Sequence, residues 1–363
     1  PRASTASSAR RSIWASRDER DAGSRVWHGE SIRTRLTDLL GVEHPVIQAP
    51  MGTAAGPVLA SAVSAASGLG TISVSFSRLE AIAPMVDAVR AATDRPFAAN
   101  VLLEWPPEEK LSALLEADVP AISLAWGDPA PFVDMIHEGG ALVLATVGSA
   151  EEARRAEAAG VDVVVAQGFE AGGHVWGEVG TLVLVPAVRD AVSVPVVAAG
   201  GIADGRGLAA ALALGADGAW IGTRFLLAEE APVHPVFRDL LVAAAETDTF
   251  HALDLFHLGW EDAPHRALRN STYRVWSEAG RPPIGERPHE DEDVATRADG
   301  APIRRYSSSL PVEGMEGDIE ALSLYAGQSV GLVTDVEPAA AIVARVVSEA
   351  ADVLGRLGAH GSA

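Results

Sequence analysis

Residues 195–223 read PVVAAGGIADGRGLAAALALGADGAWIGT. An apolar run, Pro195–Ala199, leads into a glycine pair. An Ala/Leu stretch follows over Asp204–Leu214, and a second apolar run, Gly218–Ile221, ends in Gly222-Thr223. Runs that are apolar on both faces suit strands buried on both sides, as in a parallel sheet. Asp204 is placed to cap the intervening helix and Gly215 to stop it. The segment is thus a strand, a helix and a strand.

The same unit recurs upstream. Apolar runs occupy Pro45–Ala49, Gly70–Val74, Pro96–Asn100, Pro120–Leu124, Ala141–Thr146 and Val161–Ala166, mostly about 20–26 residues apart. Helical stretches are predicted between them, for example over Ser77–Ala91 and Ser149–Ala159, the latter with Ser149 as cap and Gly160 as stop. Eight successive units with short links predict a closed (β/α)8 barrel. The alternative, a doubly wound open sheet, needs G-x-G-x-x-G after its first strand. That strand is followed instead by Ala49-Pro50-Met51-Gly52-Thr53-Ala54-Ala55-Gly56.

The rhythm breaks after the eighth run. Residues 229–318 read as an insertion, helical over 229–275, with a solvated acidic loop over 281–300. A last amphipathic helix, about Glu337–Leu357, closes the barrel. Residues 1–35 carry eight arginines against four acids with no apolar patterning, and read as a disordered tail. The barrel unit spans 36–357.

Composition narrows the chemistry. The chain has 363 residues, 48% of them hydrophobic, and no cysteine. Disulfides, thiolate zinc sites, iron–sulfur clusters and a cysteine nucleophile are therefore excluded. The single lysine, Lys110, does not follow the glycines that a phosphate-binding P-loop needs. A formal net charge of −21 repels nucleic acid and anionic lipid. The first 30 residues lack the apolar stretch of a secretory signal, and no run is long enough to span a bilayer. A soluble cytoplasmic protein acting on a small molecule is expected. Self-association is left open, and no metal is expected.

In such a barrel the active site lies at the C-terminal ends of the strands. Gly200-Gly201 and Gly222-Thr223 end strands seven and eight, the recurrent phosphate position of this fold. Glycines let backbone N–H groups approach an anion, and threonine adds a hydroxyl. Gln167-Gly168-Phe169-Glu170-Ala171-Gly172-Gly173-His174 follows strand six and puts an imidazole over the barrel mouth, where it can move a proton near neutral pH. Asn100 ends strand three and offers a donor and an acceptor to a flat heterocycle. Trp126 either lines the pocket or caps the barrel.

Six ordered segments together resemble the nitronate monooxygenase family, formerly 2-nitropropane dioxygenases. They are PVIQAPMG (Pro45–Gly52), FAAN (Phe97–Asn100), QGFEAGGH (Gln167–His174), VVAAGGIADG (Val196–Gly205), ADGAWIGTRF (Ala216–Phe225) and YAGQSVG (Tyr325–Gly331). The resemblance implies an FMN-dependent barrel enzyme that oxidises alkyl nitronates with O2 to carbonyl compounds and nitrite. It implies that Gly200, Gly201, Gly222 and Thr223 hold the FMN phosphate. Ala49, Pro50 and Met51 would meet the isoalloxazine through their backbone, and Asn100 and Gln167 through hydrogen bonds. Gly172 and Gly173 would let their loop pass close to the flavin, Tyr325, Gly327 and Gln328 would cover its edge, and His174 would be the catalytic base. FMN-dependent NAD(P)H enoyl-ACP reductases share the G-G-H loop, so reduction of an enoyl thioester is the alternative, and a non-catalytic flavin-binding protein a third.

Overall fold

Each of the eight apolar runs forms a strand in the computed structural model, which describes residues 27–28 and 31–360. The strands are β1 (Val46–Gln48), β2 (Gly70–Ser73), β3 (Phe97–Leu102), β4 (Ala121–Ala125), β5 (Leu142–Val147), β6 (Val163–Gln167), β7 (Val196–Ala199) and β8 (Gly218–Ile221). From β2 to β8 each pairs in parallel with the next, and β8 pairs with β1. A parallel bridge between Ile47 and Leu69 joins β1 to the start of β2 and closes the barrel.

A short helix, α1 (Arg35–Leu40), precedes β1. Thr34 caps it by accepting the Thr37 N–H. Leu36 and Leu40 are fully buried among the inward-facing residues Ile47, Ala98, Leu144 and Val197, so α1 plugs the lower end of the barrel. Arg35 ties this plug to Asp217, just before β8, at 2.7 Å. Most of the tail expected over 1–35 lies outside the described residues. Its last residues, from Ile32 (1% exposed) to Arg35, are built onto the barrel.

Helices α2 (Pro57–Ala65), α3 (Ile82–Ala92), α4 (Glu108–Glu116), α5 (Ala130–Glu138), α6 (Ala150–Ala158), α7 (Thr181–Ala191) and α8 (Gly205–Ala213) follow β1 to β7 in turn. Local chemistry sets their ends. Ser149 accepts the Glu152 N–H at the start of α6, and Asp204 accepts the N–H groups of Arg206 and Gly207 at the start of α8. Gly160 and Gly215 follow these helices in the left-handed conformation that stops a helix.

No α-helix follows β8 directly; a short 3-10 helix, Thr223–Leu227, takes its place. The chain leaves the barrel at Ala228 and returns at Glu337, where the two residues bridge. Buried Arg224 clasps this neck, reaching Asp335 at 3.0 Å and Glu337 at 2.5 Å. The return leads into α11 (Ala339–His360), which packs against both α8 and α2 and fills the eighth helical position.

The excursion between these points is more strand-bearing than its composition indicates. Helices occupy Pro235–Ala243 (α9), within the stretch expected to be helical, and Ser271–Glu278 (α10), which starts inside that stretch and runs past its end at 275. Between them, Thr249–Ala252 and His265–Leu268 are antiparallel strands, and the second pairs with Gly173–His174 of the loop after β6. Pairing with a distant loop overrides local helical preference here. The stretch 281–300 is only partly solvated. Asp293–Thr296 is a strand, Val294 and Ala295 are buried beside Ile303 and Ile319, and the Arg287 side chain is fully buried. Phe250, Phe256 and Tyr306 belong to the same apolar cluster as the barrel helices, so the excursion shares the barrel's core. Among the described residues no helix is long and apolar enough to cross a membrane.

Candidate active site

The C-terminal mouth of the barrel opens into a cavity of about 560 Å³, roofed by the excursion. The expected site residues Ala49, Pro50, Met51, Asn100, Gln167, Gly172, Gly173, His174, Gly200, Gly201, Gly222, Thr223, Tyr325 and Gly327 all line it. Gln328 does not. It opens a short 3-10 helix with its side chain outside, and its N–H donates to the Glu170 carbonyl at 3.0 Å.

Beyond β7 and β8 the backbone is arranged for an anion. Gly200 and Gly201 have φ of 97° and 74°, a conformation that glycine adopts without steric cost. A side chain at Gly200 would also sit 2.8 Å from the Gly168 carbonyl. The N–H groups of Gly200, Gly201, Gly222 and Thr223 donate to nothing among the described residues. Four such donors on one cavity form the kind of nest that binds phosphate. The nearby Glu170 carboxylate is turned away, accepting the Thr181 N–H at 2.9 Å and its hydroxyl at 2.9 Å. Thr223 also accepts the Gly327 N–H at 3.0 Å, which binds the last part of the excursion to the barrel.

The loop after β6 is fixed by its own first residue. Gln167 Nε2 donates to the His174 carbonyl at 3.1 Å, and Gln167 Oε1 accepts the Trp176 N–H at 2.8 Å. The amide expected to meet a heterocycle is therefore committed to holding the histidine loop. Gly172 is required by close approach. A Cβ there would lie 2.2 Å from the Gly327 backbone nitrogen. At β1, the Ala49 N–H is taken by the Ile221 carbonyl and its carbonyl accepts from Gln48, while Pro50 has no N–H. Asn100, 3% exposed, donates to the Ser123 carbonyl at 3.2 Å.

His174 lies in an aromatic box. Its ring stacks on Trp260 with centroids 3.9 Å apart, and Tyr325 and Trp126 stand at 5.2 and 5.7 Å. His174 Nε2 and the Tyr325 hydroxyl are both buried without a hydrogen-bond partner among the described residues. Burial, with His265 behind it, holds the His174 imidazole well below its ordinary pKa, so the ring is neutral at neutral pH. A neutral imidazole with an unpartnered nitrogen is a competent proton acceptor, and His174 is one of the residues lining the cavity. Burial likewise pushes the Tyr325 phenol up, so it stays a donor.

Sequence reading missed the roof. Trp260, Arg297 and Ser307-Ser308-Ser309 line the cavity from the excursion. Trp126 lines it too, with a left-handed φ of 66°. The serine run was the one local signal available; nothing near Trp260 in the sequence marks it as His174's neighbour. Among the described residues no group of three or more His, Asp or Glu could hold a metal ion.

Known proteins share the sequence and the fold of this chain. The profile of the nitronate monooxygenase family aligns with residues 33–109 and 104–349. A Mycobacterium tuberculosis protein named (3aS,4S,5R,7aS)-5-hydroxy-7a-methyl-1-oxo-octahydro-1H-indene-4-carboxyl-CoA dehydrogenase is 38% identical over 242 residues, 66% of either chain. Its namesake in Rhodococcus jostii is 31% identical, covering 91% of this chain and 99% of its own. A probable nitronate monooxygenase of Staphylococcus aureus is 30% identical, over 87% of this chain and 97% of its own. The structure of FabK from Thermotoga maritima superposes with a TM-score of 0.79 at 36% identity, covering 91% of this chain and all of FabK.

Proposed function

The chain belongs to the nitronate monooxygenase family of flavin-dependent oxidoreductases, and we propose that it binds FMN noncovalently and oxidises alkyl nitronates with O2 to carbonyl compounds and nitrite. The observation that carries the reading is the buried, unpartnered Nε2 of a neutral His174 on the cavity wall. The residues present suit the cofactor. The four uncommitted N–H groups of Gly200, Gly201, Gly222 and Thr223 match a phosphate, with no carboxylate among the cavity-lining residues to repel it. Asn100 and Tyr325 would meet the ring system, and Gly172 and Gly327 would let the two roof segments close over it. When bound, the flavin accepts electrons from the substrate and delivers them to O2.

The protein's own part is to handle a proton and exclude water. A neutral nitroalkane becomes an electron-rich nitronate only after losing its α-proton, and His174 Nε2 takes that proton. Gln167 holds the loop so that His174 lines the cavity, and Trp260 keeps the ring in place. Because His174 is depressed, activity on neutral nitroalkanes rises with pH through an ionisation below the ordinary histidine range and is flat at neutral pH.

The test is His174→Asn. With FMN retained, turnover of neutral nitroalkanes falls by about 10²–10⁴-fold, the usual contribution of a general base. Preformed nitronates lose much less. Equal loss of both overturns the role of base. Acid precipitation of the wild type releases free FMN, and a colourless protein that FMN cannot reconstitute overturns the cofactor assignment.

A second reading is favoured by the two relatives named as carboxyl-CoA dehydrogenases. The same base and flavin would then act beside the carbonyl of an acyl thioester. An acyl-carrier protein is disfavoured as the donor, because carrier proteins are acidic and so is this chain. Anaerobic mixing with a nitronate or with an acyl-CoA separates the readings by which compound bleaches the flavin, and bleaching by NADH alone would point instead to an enoyl thioester reductase.

A further inference from the structure

The upper cavity, where barrel loops meet the roof, has two chemically distinct parts that take up no proton. One is an aromatic wall. Trp126 packs edge-on against Trp260 at 4.9 Å and Trp176 at 5.1 Å, and Phe76 packs edge-on against Trp260 at 6.3 Å. Trp126 holds its position through a left-handed backbone that a tryptophan rarely adopts, and such strain collects at functional sites. A small nitroalkane has too little surface to use a wall of this size. Each such ring contributes binding by covering apolar area.

The other part is polar. The segment 258–260 that carries Trp260 runs beside 306–308. The Leu258 N–H donates to the Tyr306 carbonyl at 3.1 Å, and the Ser308 N–H to the Leu258 carbonyl at 3.0 Å. This places the hydroxyls of Ser307 and Ser309, 2.9 Å apart, next to the aromatic wall. Arg297 Nη2 donates to Ser309 Oγ at 2.8 Å. Arg287, Arg304 and Arg305 of the excursion hold Asp254, Asp291 and Glu292, whereas Arg238, Arg266, Arg269 and Arg281 bond carbonyls or hydroxyls and do not line the cavity, as Arg297 does. Arg297 has no carboxylate among the described residues, although the chain carries 49 acids. A guanidinium left on a neutral hydroxyl, over a cavity in a strongly acidic protein, is a receptor for an anion.

We propose that this cavity takes an amphipathic anionic substrate, its apolar ring or acyl part against Phe76, Trp126 and Trp260 and its negative end on Arg297, Ser307 and Ser309. The proposal deepens the functional reading and rests on the cavity being the substrate site. A carboxylate and the phosphates of a thioester handle share the required chemistry.

Sodium octanoate, octanoyl-CoA and 1-octanol, titrated against the flavin-loaded enzyme by tryptophan fluorescence, test it. Octanoate or octanoyl-CoA binds about tenfold or more tightly than octanol. Tighter octanoate assigns the site to a carboxylate, and tighter octanoyl-CoA assigns it to the phosphates. Arg297→Gln removes the advantage over octanol, Ser309→Ala reduces it, and Trp260→Ala weakens all three ligands. Equal affinities in the wild type overturn the proposal. So does equal weakening of all three by Arg297→Gln, or loss of flavin from that variant, which would give the guanidinium to the cofactor. If the protein holds no flavin, the functional reading fails on the absorption spectrum, while the preference for octanoate over octanol still decides this proposal.

Discussion

Between the barrel strands and their helices the buried volume is filled by Val, Ile, Leu and Ala, most of them fully buried. The excursion from Ala228 to Glu337 reaches the same depth with other chemistry. Arg266, Arg287, His257, His265, Asn270 and Tyr306 are all buried there. Arg287 alone reaches the Asp254 carboxylate at 2.8 Å, the His257 Nδ1 at 2.7 Å and the Leu255 carbonyl at 3.2 Å. Apolar packing is non-directional and tolerates local rearrangement. A buried polar network is favourable only while every member keeps its partner. The barrel should therefore yield gradually to substitution, and the roof abruptly.

The sharpest break is expected where the two regions touch. Gly172, on a barrel loop, lies against Ala326 and Gly327 at the end of the excursion. Gly172→Val puts a side chain into fixed backbone and is expected to cost more than about 4 kcal/mol, the range of severe core disruption. Flavin content and near-ultraviolet circular dichroism would both fall. Gly173→Ala meets nothing within 4 Å, but must adopt φ of 70°. It should cost only about 1–2 kcal/mol. If the two variants behave alike, close approach is not what binds roof to barrel.

Arg287→Met removes the hub of the roof network while keeping much of its bulk. Taking one partner from a buried pair typically costs 3–5 kcal/mol. Because Asp254 retains 35% of its exposure, the low end, about 3–4 kcal/mol, is expected. Urea unfolding monitored by Trp260 should shift strongly, with barrel circular dichroism following only at higher urea. One coincident transition would show that the two regions unfold as a unit.

This contrast also explains what the sequence revealed. The barrel strands were legible because each is a local apolar run between turn residues, and the helix caps because Ser149 and Asp204 act within their own first turns. The wall residues of the site were legible because they end those strands. The roof was not, because the Arg297–Ser309 bond and the stacking of Trp260 on His174 join residues far apart in the chain. Gln328 was misplaced for a similar reason. Its motif is intact, but a 3-10 turn points the side chain out. Gln167 lies on the cavity as expected, yet its amide is spent on the histidine loop.

Acid should discriminate between the regions next. Burial pushes His265 down to about 4, and its Nε2 accepts the Phe256 N–H, a bond that protonation destroys. In the unfolded chain the imidazole takes a proton below about pH 6.5. The folded roof refuses it until about pH 4. Stability is therefore unaffected above pH 6.5 and is lost as pH falls from 6.5 towards 4, by up to about 3 kcal/mol from this residue. His265→Gln keeps a hydrogen-bonding side chain but does not titrate. Its unfolding free energy should be flatter across that window than the wild type's. An unchanged slope would remove His265 as the cause.

The smallest effect belongs to the barrel, at Asp204. Its carboxylate accepts the N–H groups of Arg206 at 2.9 Å and Gly207 at 3.2 Å, satisfying two donors at the start of α8 that have no partner inside the helix. It also holds the Arg206 side chain, but that guanidinium is exposed and contributes little. Asp204→Ala should cost about 1 kcal/mol, the usual value of an N-cap. Asp204→Ser, which keeps the cap without the charge, should recover most of it. The helix itself stays docked, because Leu208, Ala209 and Leu212 remain buried beneath it and α11 still covers its outer side. Flavin affinity is the more telling readout. Asp204 stands four residues after Gly200, so a cap that only ends a helix leaves cofactor affinity unchanged when α8 is weakened by this amount. A loss of flavin affinity larger than the loss of stability would mean that α8 positions the nest at Gly200-Gly201, and that the apolar barrel too contains a place where one polar contact decides the outcome.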